Sequence, residues 1–281
     1  MRQIQRGTMR NLIQRWNRAV VTTAGAMALS SAVWSQEMES AEPAPVAVIP
    51  MNVDIDDAQK EAMISPEARA AREGGVAGGR PTCSGDPDNL FYPLNQGTWT
   101  LVPFFGDGAT GAGPAQGPAG TEDGEANDDD SAFFNFSFLF VLYGDTYGSC
   151  YINNNGNISF GQRFSTFTSQ PFPIDGFPMV APFWADVDTR TNNGAVWYRQ
   201  LDSNNDGLND TLVVTWENVG YYFQEGELRN TFQVAISNGT NPQMGLGYNV
   251  LFSYDNMCWT TGDASGGTNG FGGTASTVGA N

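Results

Sequence analysis

The sequence predicts an all-β fold of two packed antiparallel sheets, behind a signal peptide and a disordered linker. Three observations carry this. Runs rich in aromatic and β-branched residues follow one another beyond about residue 90, separated by Gly/Asn/Asp turn clusters every 8–12 residues. Helical periodicity is absent from the same region. The first 80 residues have a different composition, basic and apolar, then Ala-, Glu- and Pro-rich.

In chain order, "MRQIQRGTMRNLIQRWNRAVVTTAGAMALSSAVWSQ" opens with five arginines and no acid, then an apolar run from Ala19 to Trp34 closed by small residues. This is the layout of a secretory signal peptide, and the run falls short of the ~20 residues of a helical span. Residues 1–35 are therefore expected to be removed on export, with cleavage between Trp34 and Glu37. The mature chain is expected to be secreted or displayed at the cell surface, without a membrane span. Residues 36–82 read as a mobile linker. Within it "SPEARAAREGG" could form a short helix, with Ser65 as N-cap, Pro66 in the first turn and Gly74 at its end.

From Cys83 to Asn281 the strand candidates are "FFNFSFLFVLYG" (133–144), the Asn-Gly hairpin "SCYINNNGNISFG" (149–161), "MVAPFWADVD" (179–188), "GAVWYRQL" (194–201), "TLVVTWENV" (211–219), "NTFQVAISN" (230–238) and "YNVLFSYDNMCW" (248–259). The stretches 106–130 and 261–281 are so rich in glycine and small residues that both are expected to be flexible.

Composition excludes several functions. The chain has 13 basic and 30 acidic residues, a net charge of −17. Such a field repels phosphate backbones, so nucleic acid is not an expected partner. The missing histidine removes the usual general base of Ser and Cys hydrolases and the commonest zinc ligand. Lys60 is the only lysine. Three cysteines, Cys83, Cys150 and Cys258, permit one disulfide, and the sequence leaves all three pairings open.

Two constellations could carry chemistry. In "LDSNNDGLND" (201–210), Asp202, Asn204, Asp206 and Asp210 follow D-x-N-x-D-G-x-x-D. Positions 1, 3 and 5 of such a loop turn oxygens inward, glycine at 6 permits the bend, and position 7 offers the Leu208 carbonyl. Position 12 is Val213 and no helix flanks the loop, which excludes an EF-hand. The pattern points to Ca2+ in a loop between strands, at the micromolar to millimolar affinity of extracellular modules, against the plainer reading of a polar hairpin turn. In "FWADVDTR", Asp186 and Asp188 share a strand face. They could serve as a glycosidase pair, or join a residue of the acidic run 121–130 in a second metal site, or simply meet solvent or cap a turn at a strand end. The acidic run 121–130 reads as a solvated loop. Trp184, Trp197, Trp216 and Trp259 read as core, and Tyr221 and Tyr222 as the best exposed aromatics. Sequons at Asn135, Asn157, Asn209 and Asn238 are expected to be unmodified, because the n-region and linker look bacterial.

The segments "YGDTYGSCYINNNGNISFG", "FPMVAPFWADVDTRTNNGAVWYRQ", "TLVVTWENVGYYFQEGELRNTFQVAIS" and "VLFSYDNMCWTTGDASGG" occur in the order of a known module. Over roughly residues 90–281 the chain resembles the nidogen-like (NIDO) domain, found extracellularly and in many exported bacterial proteins. The Pro-Phe-Trp-Ala-Asp-Val-Asp run followed by Gly-x-Val-Trp-Tyr-Arg is the most specific part. The resemblance implies a non-enzymatic module of cell–matrix adhesion whose partner is an extracellular-matrix or cell-surface protein or a glycan. It implies no catalytic residues. The chain stops at "VGAN", where such domains usually run on for another strand, so a domain cut short in a fragment of a longer surface protein is expected. The alternative is a secreted carbohydrate-binding module using exposed aromatics.

Overall fold

The computed structural model describes residues 51, 55–74, 83, 90–104, 127–190 and 193–281. The expected signal peptide and most of the stretch 106–130 lie outside them. Two antiparallel sheets form the body of the protein. The strands are β1 (Thr100–Leu101), β2 (Ser131–Leu142), β3 (Asp145–Asn153), β4 (Asn157–Ser159), β5 (Met179–Trp184), β6 (Val187–Asp188), β7 (Ala195–Leu201), β8 (Thr211–Tyr221), β9 (Glu225–Ser237), β10 (Val250–Asn256) and β11 (Thr277–Ala280). One sheet runs β1-β7-β8-β9-β10, with β6 also pairing β8. The other runs β11-β5-β4-β3-β2.

Turn chemistry sets the registers. Tyr143 and Gly144, with φ of 50° and 99°, link Leu142 to its partner Asp145. Two positive-φ residues make the tight turn whose twist matches its strands. The predicted Asn-Gly hairpin is present as a three-residue loop, Asn154–Gly156, between paired Asn153 and Asn157. Gly156 has φ +74°, and a Cβ there would collide with the Phe183 carbonyl. Only glycine allows this hairpin tip to press against β5.

The inner faces of the sheets meet in one apolar core. Phe140, Ile152, Ile158 and Val180 come from one sheet, and Leu212, Val214, Trp216, Phe232, Val234 and Ile236 from the other. Alternation along each strand produces it, since residues two apart share a face. Trp216 stacks on Phe232 at 5.2 Å between centroids, and Phe183 meets Trp259 edge-on at 5.1 Å. The buried indoles are also satisfied: Trp184 Nε1–H donates to Thr166 O, Trp216 to Asn154 O and Trp259 to Val219 O. Cys83 and Cys258 form a disulfide, and Cys150 is a buried free thiol that burial pushes up in pKa.

Two expectations change. The glycine-rich end is ordered: β11 adds to the edge of β5, and Asn281 exchanges backbone hydrogen bonds with Met179. The composition suggested freedom, but this edge offered unpaired N–H and C=O groups that a final strand satisfies. Within the expected linker lie two helices, α1 (Asp57–Ala62) and α2 (Pro66–Gly74). Helix α2 falls on the stretch read from sequence, with Ser65 Oγ accepting from Ala68 N at 3.1 Å. Helix α1 was not foreseen. Asp56 caps it in a reciprocal capping box with Gln59. Ile64 and Ala68 then pack with Phe167, Tyr222 and Ala264.

Trp216 is fully buried at the centre of the aromatic stack. Trp216→Ala is expected to cost about 3–5 kcal/mol, from lost transfer energy and the cavity left behind. Urea denaturation followed by tyrosine and tryptophan fluorescence checks it; a change below about 1 kcal/mol would contradict this core.

Candidate functional site

Asp186 and Asp188 lie where β5 gives way to β6. The chain bends out of one sheet and enters the other at this break, and both side chains are carried inward. Each is 0% exposed. The expectation of acids meeting solvent at a strand end is therefore corrected, and a substrate could not reach them as a carboxylate pair. A buried carboxylate needs a cation or a dense set of donors.

Asp188 finds Arg190. The guanidinium donates from Nε to Oδ1 at 2.9 Å and from Nη2 to Oδ2 at 2.7 Å. The backbone N–H groups of Arg190 and Gln224 also donate to it. Arg190 reaches Asp57 of α1 at 2.6 Å as well. Asp186 finds Lys60. The amine nitrogen lies 2.6 Å from Asp186 Oδ1, 2.8 Å from Asp128 Oδ2 and 2.9 Å from Asp129 Oδ2. The Phe167 and Tyr222 rings close around it, their centroids 4.3 Å and 4.2 Å away. Lys60 is fully buried, at the end of a short helix whose other faces are exposed.

Burial by itself would lower the Lys60 amine; the three carboxylates outweigh it and hold its pKa well above the ordinary value. Burial raises Asp128 well above the usual range, with Asp129 adding to it, and pushes Asp186 up to about 7. The two directions are consistent: five carboxylates, those of Asp57, Asp128, Asp129, Asp186 and Asp188, share two cations, so the centre favours both its cations and extra protons. Among the described residues, Asp128, Asp129 and Asp186 are the one His/Cys/Asp/Glu group whose ligand atoms lie within 4.8 Å of one another. Their common centre is taken by the Lys60 nitrogen, which leaves no place there for a metal ion.

The loop 201–210 is built differently. Asp202 accepts from the N–H groups of Asp206 and Gly207, and Asp206 accepts from Leu208 N and Asn204 Nδ2. Asp210 is buried and accepts from Ser203 N and Oγ and from Asn204 N. Leu208 is exposed. Each carboxylate thus already serves the turn, as Asx-rich loops do. The oxygen donors Asp202, Asn204, Asp206 and the Leu208 carbonyl are of the type a hard cation takes, but Asp210 faces the loop's own base.

Tyr221 and Tyr222 are 3% and 0% exposed, which corrects their reading as surface aromatics. They end β8 and pack inward on Trp259 and over Lys60. The acidic run also ends inside the protein: Asn127, Asp128 and Asp130 are buried. Sequence reasoning missed Lys60, Asp128, Asp129 and Arg190. A lone lysine among 30 acids was the available signal.

Residues 148–281 match the family model of the nidogen-like domain. This match lies within the stretch of roughly 90–281 where the sequence resembles that domain. It is 32% identical to alpha-tectorin of Gallus gallus over 187 residues, 58% of this chain and 8% of the tectorin. It is 29% identical to nidogen of Drosophila melanogaster over 147 residues, 44% of this chain and 10% of that protein. To mucin-4 of Mus musculus it is 31% identical over 178 residues, 50% of this chain and 5% of the mucin. The chain thus spans a tenth or less of these relatives. They are animal proteins, which gives the expected bacterial source no support. No solved structure matches the chain. No helix among the described residues is long and apolar enough to cross a membrane.

Lys60→Ala leaves three carboxylates without their cation and is expected to destabilise the protein by about 3–5 kcal/mol. Trypsin should then cut faster at Arg69 and Arg72, read by mass spectrometry; unchanged rates would show that Lys60 does not hold α1 and α2. Asp263 is pushed from the ordinary 3.8 to about 7, by burial first and the Glu225 carboxylate second. The folded state binds this proton more tightly than the unfolded chain. Its stabilisation is present below about pH 4 and is lost as pH rises through about 7. Asp263→Asn should flatten that part of the stability–pH profile.

Proposed function

We propose that this chain is an extracellular, non-enzymatic interaction module related to the extracellular matrix, with adhesion to a matrix or cell-surface protein as its role. The observation that carries the reading is the nidogen-like match over 148–281. The tectorin, nidogen and mucin relatives support it, as does the layout of a signal peptide at residues 1–35.

Strands exposed at a sheet edge can receive a partner, and they are where we place the recognition surface. Strand β2 is the edge of its sheet, and its outward row carries Phe133, Leu139 and Val141, which are 56%, 63% and 44% exposed, with Tyr143, 78% exposed, in the turn that follows. An apolar row of this kind on a strongly acidic protein fits the apolar core of a protein interface. Trp184, Trp216, Trp259, Tyr221 and Tyr222 are buried, which favours a protein partner over the carbohydrate-binding alternative.

The reading includes calcium at Asp202, Asn204, Asp206 and the Leu208 carbonyl, with Asp210 bracing the loop from beneath. An ion there would stiffen the connection between β7 and β8 and perform no chemistry.

Two measurements test this. The exported protein should bind a decellularised matrix saturably, and a Leu139→Lys, Val141→Lys double variant should bind at least tenfold more weakly; every 1.4 kcal/mol of lost contact is tenfold. Absence of saturable binding, or selective capture on a glycan array instead, would overturn the adhesion reading. Calcium titration should raise Tm at millimolar concentration, and Asp202→Asn with Asp206→Asn should abolish the shift. No calorimetric heat and no thermal shift would remove calcium from the reading.

A further inference from the structure

The contact between Lys60 and Asp186 does not have the form of an ordinary ion pair. The nitrogen is 2.6 Å from Asp186 Oδ1, yet neither oxygen of Asp186 has a hydrogen-bond partner among the described residues. Lys60 does make hydrogen bonds to Asp128 at 2.8 Å and to both oxygens of Asp129 at 2.9 Å and 3.0 Å. Towards Asp186 it is therefore in close contact with the carboxyl group without the alignment it has with Asp128 and Asp129. Gly262 packs against the same carboxyl, where a Cβ would lie 2.7 Å from Oδ2. The Asp186 carboxyl is thus held between a glycine backbone and an amine. Both partners are 0% exposed, and the Phe167 and Tyr222 rings cover the nitrogen.

We propose that Lys60 and Asp186 join in an autocatalytic amide cross-link, with Asp128 as the residue that carries the proton. The electrophile is a carboxyl group, the nucleophile an amine, and the single by-product is water. One proton moves from Nζ to Asp128, 2.8 Å away. The freed nitrogen lone pair adds to Asp186 Cγ, with the Asp186 carboxyl in its acid form. Asp128 returns that proton to the departing oxygen and takes the second one from nitrogen, ending protonated. The C–O bond breaks, water leaves, and an Nζ–Cγ amide remains. No oxidant, reductant or co-reactant is needed.

Proximity supplies what the reaction lacks in solution. An amine and a carboxyl group fixed in contact have a large effective molarity. A general acid and base within hydrogen-bond reach contributes further. Burial raises Asp186 and Asp128 alike, so a proton shared between them places Asp186 in its acid form in those molecules where Asp128 is the carboxylate. The burial that excludes bulk water also opposes hydrolysis of the product. A single turnover per molecule suffices, so the ammonium ground state slows the reaction without preventing it. Linkage removes one cation and one carboxyl group from a buried centre and replaces them with a neutral amide, which lowers the desolvation cost.

Lys60, Asp128, Phe167 and Asp186 come from four separate places in the chain. Lys60 and Asp128 lie outside the nidogen-like match at 148–281. The cross-link would tie helices α1 and α2 covalently to the break between β5 and β6.

The test is intact-mass spectrometry of the exported full chain in its monodisperse folded fraction, compared with the mass calculated from the N-terminus found by sequencing. The expected mass is one water below that calculated with the Cys83–Cys258 disulfide intact. Digestion should yield a branched peptide joining the segment around Lys60 to the segment around Asp186, identified by tandem fragmentation. Lys60→Arg, which keeps the charge, and Asp186→Ala should each show the full mass and no branched peptide. Asp128→Asn should slow linkage about 100-fold or more after refolding. Wild type at full mass after days at neutral pH would overturn the proposal. So would a lost water without the branched peptide, the signature of dehydration elsewhere. Linkage at the wild-type rate in Asp128→Asn would overturn the role given to Asp128.

Discussion

Two aspartates buried at the break between β5 and β6 dictate what must surround them. The chain crosses there from one sheet to the other, and the crossing carries Asp186 and Asp188 out of water. An isolated buried carboxylate is too costly to persist, so the structure brings cations to both. Arg190, two residues on, serves Asp188 locally. Asp186 has no local partner and draws Lys60 from more than a hundred residues away. That demand helps to dock α1, alongside the Asp57–Arg190 pair and the packing of Ile64 and Ala68 on Phe167 and Tyr222.

The same demand organises the neighbouring segments. Asp128 and Asp129 approach Lys60 from the start of β2, so the end of an acidic run becomes part of the interior. Asn127 fixes that turn by accepting from the N–H groups of Asp128 and Asp130, and Asn155 donates to Asp129 from the hairpin tip. Tyr222 lends its ring to Lys60 and its hydroxyl to the Asp57 carbonyl. Residues that resembled a surface patch in the sequence are thus walls of a charged interior. The exposed apolar row on β2 stands apart from this centre.

Local chemistry made much of the fold legible. Strand runs from Phe133 to Trp259 appear where alternation and turn residues place them, because period-two patterning and Asn-Gly chemistry act over neighbouring residues. Helix α2 was readable from Ser65, Pro66 and Gly74 for the same reason. β11 was not, since a glycine-rich strand gains its order from the edge it joins. Helix α1 was missed because six residues have little helical stability of their own; its stability comes from one buried ammonium. The loop at 201–210 was legible as a turn, and its carboxylates do serve the turn.

The sequence by itself determined the all-β class, the hairpins, the nidogen-like segment and the strong negative charge. Each depends on residue types at short spacing. Only the tertiary structure decided that Cys83 pairs with Cys258, that Tyr221 and Tyr222 are interior, and that Lys60 meets Asp128, Asp129 and Asp186. These outcomes depend on which distant segments share a low-dielectric interior. A carboxylate spelled the same way is a solvated surface group or the centre of a buried cluster, according to where folding leaves it.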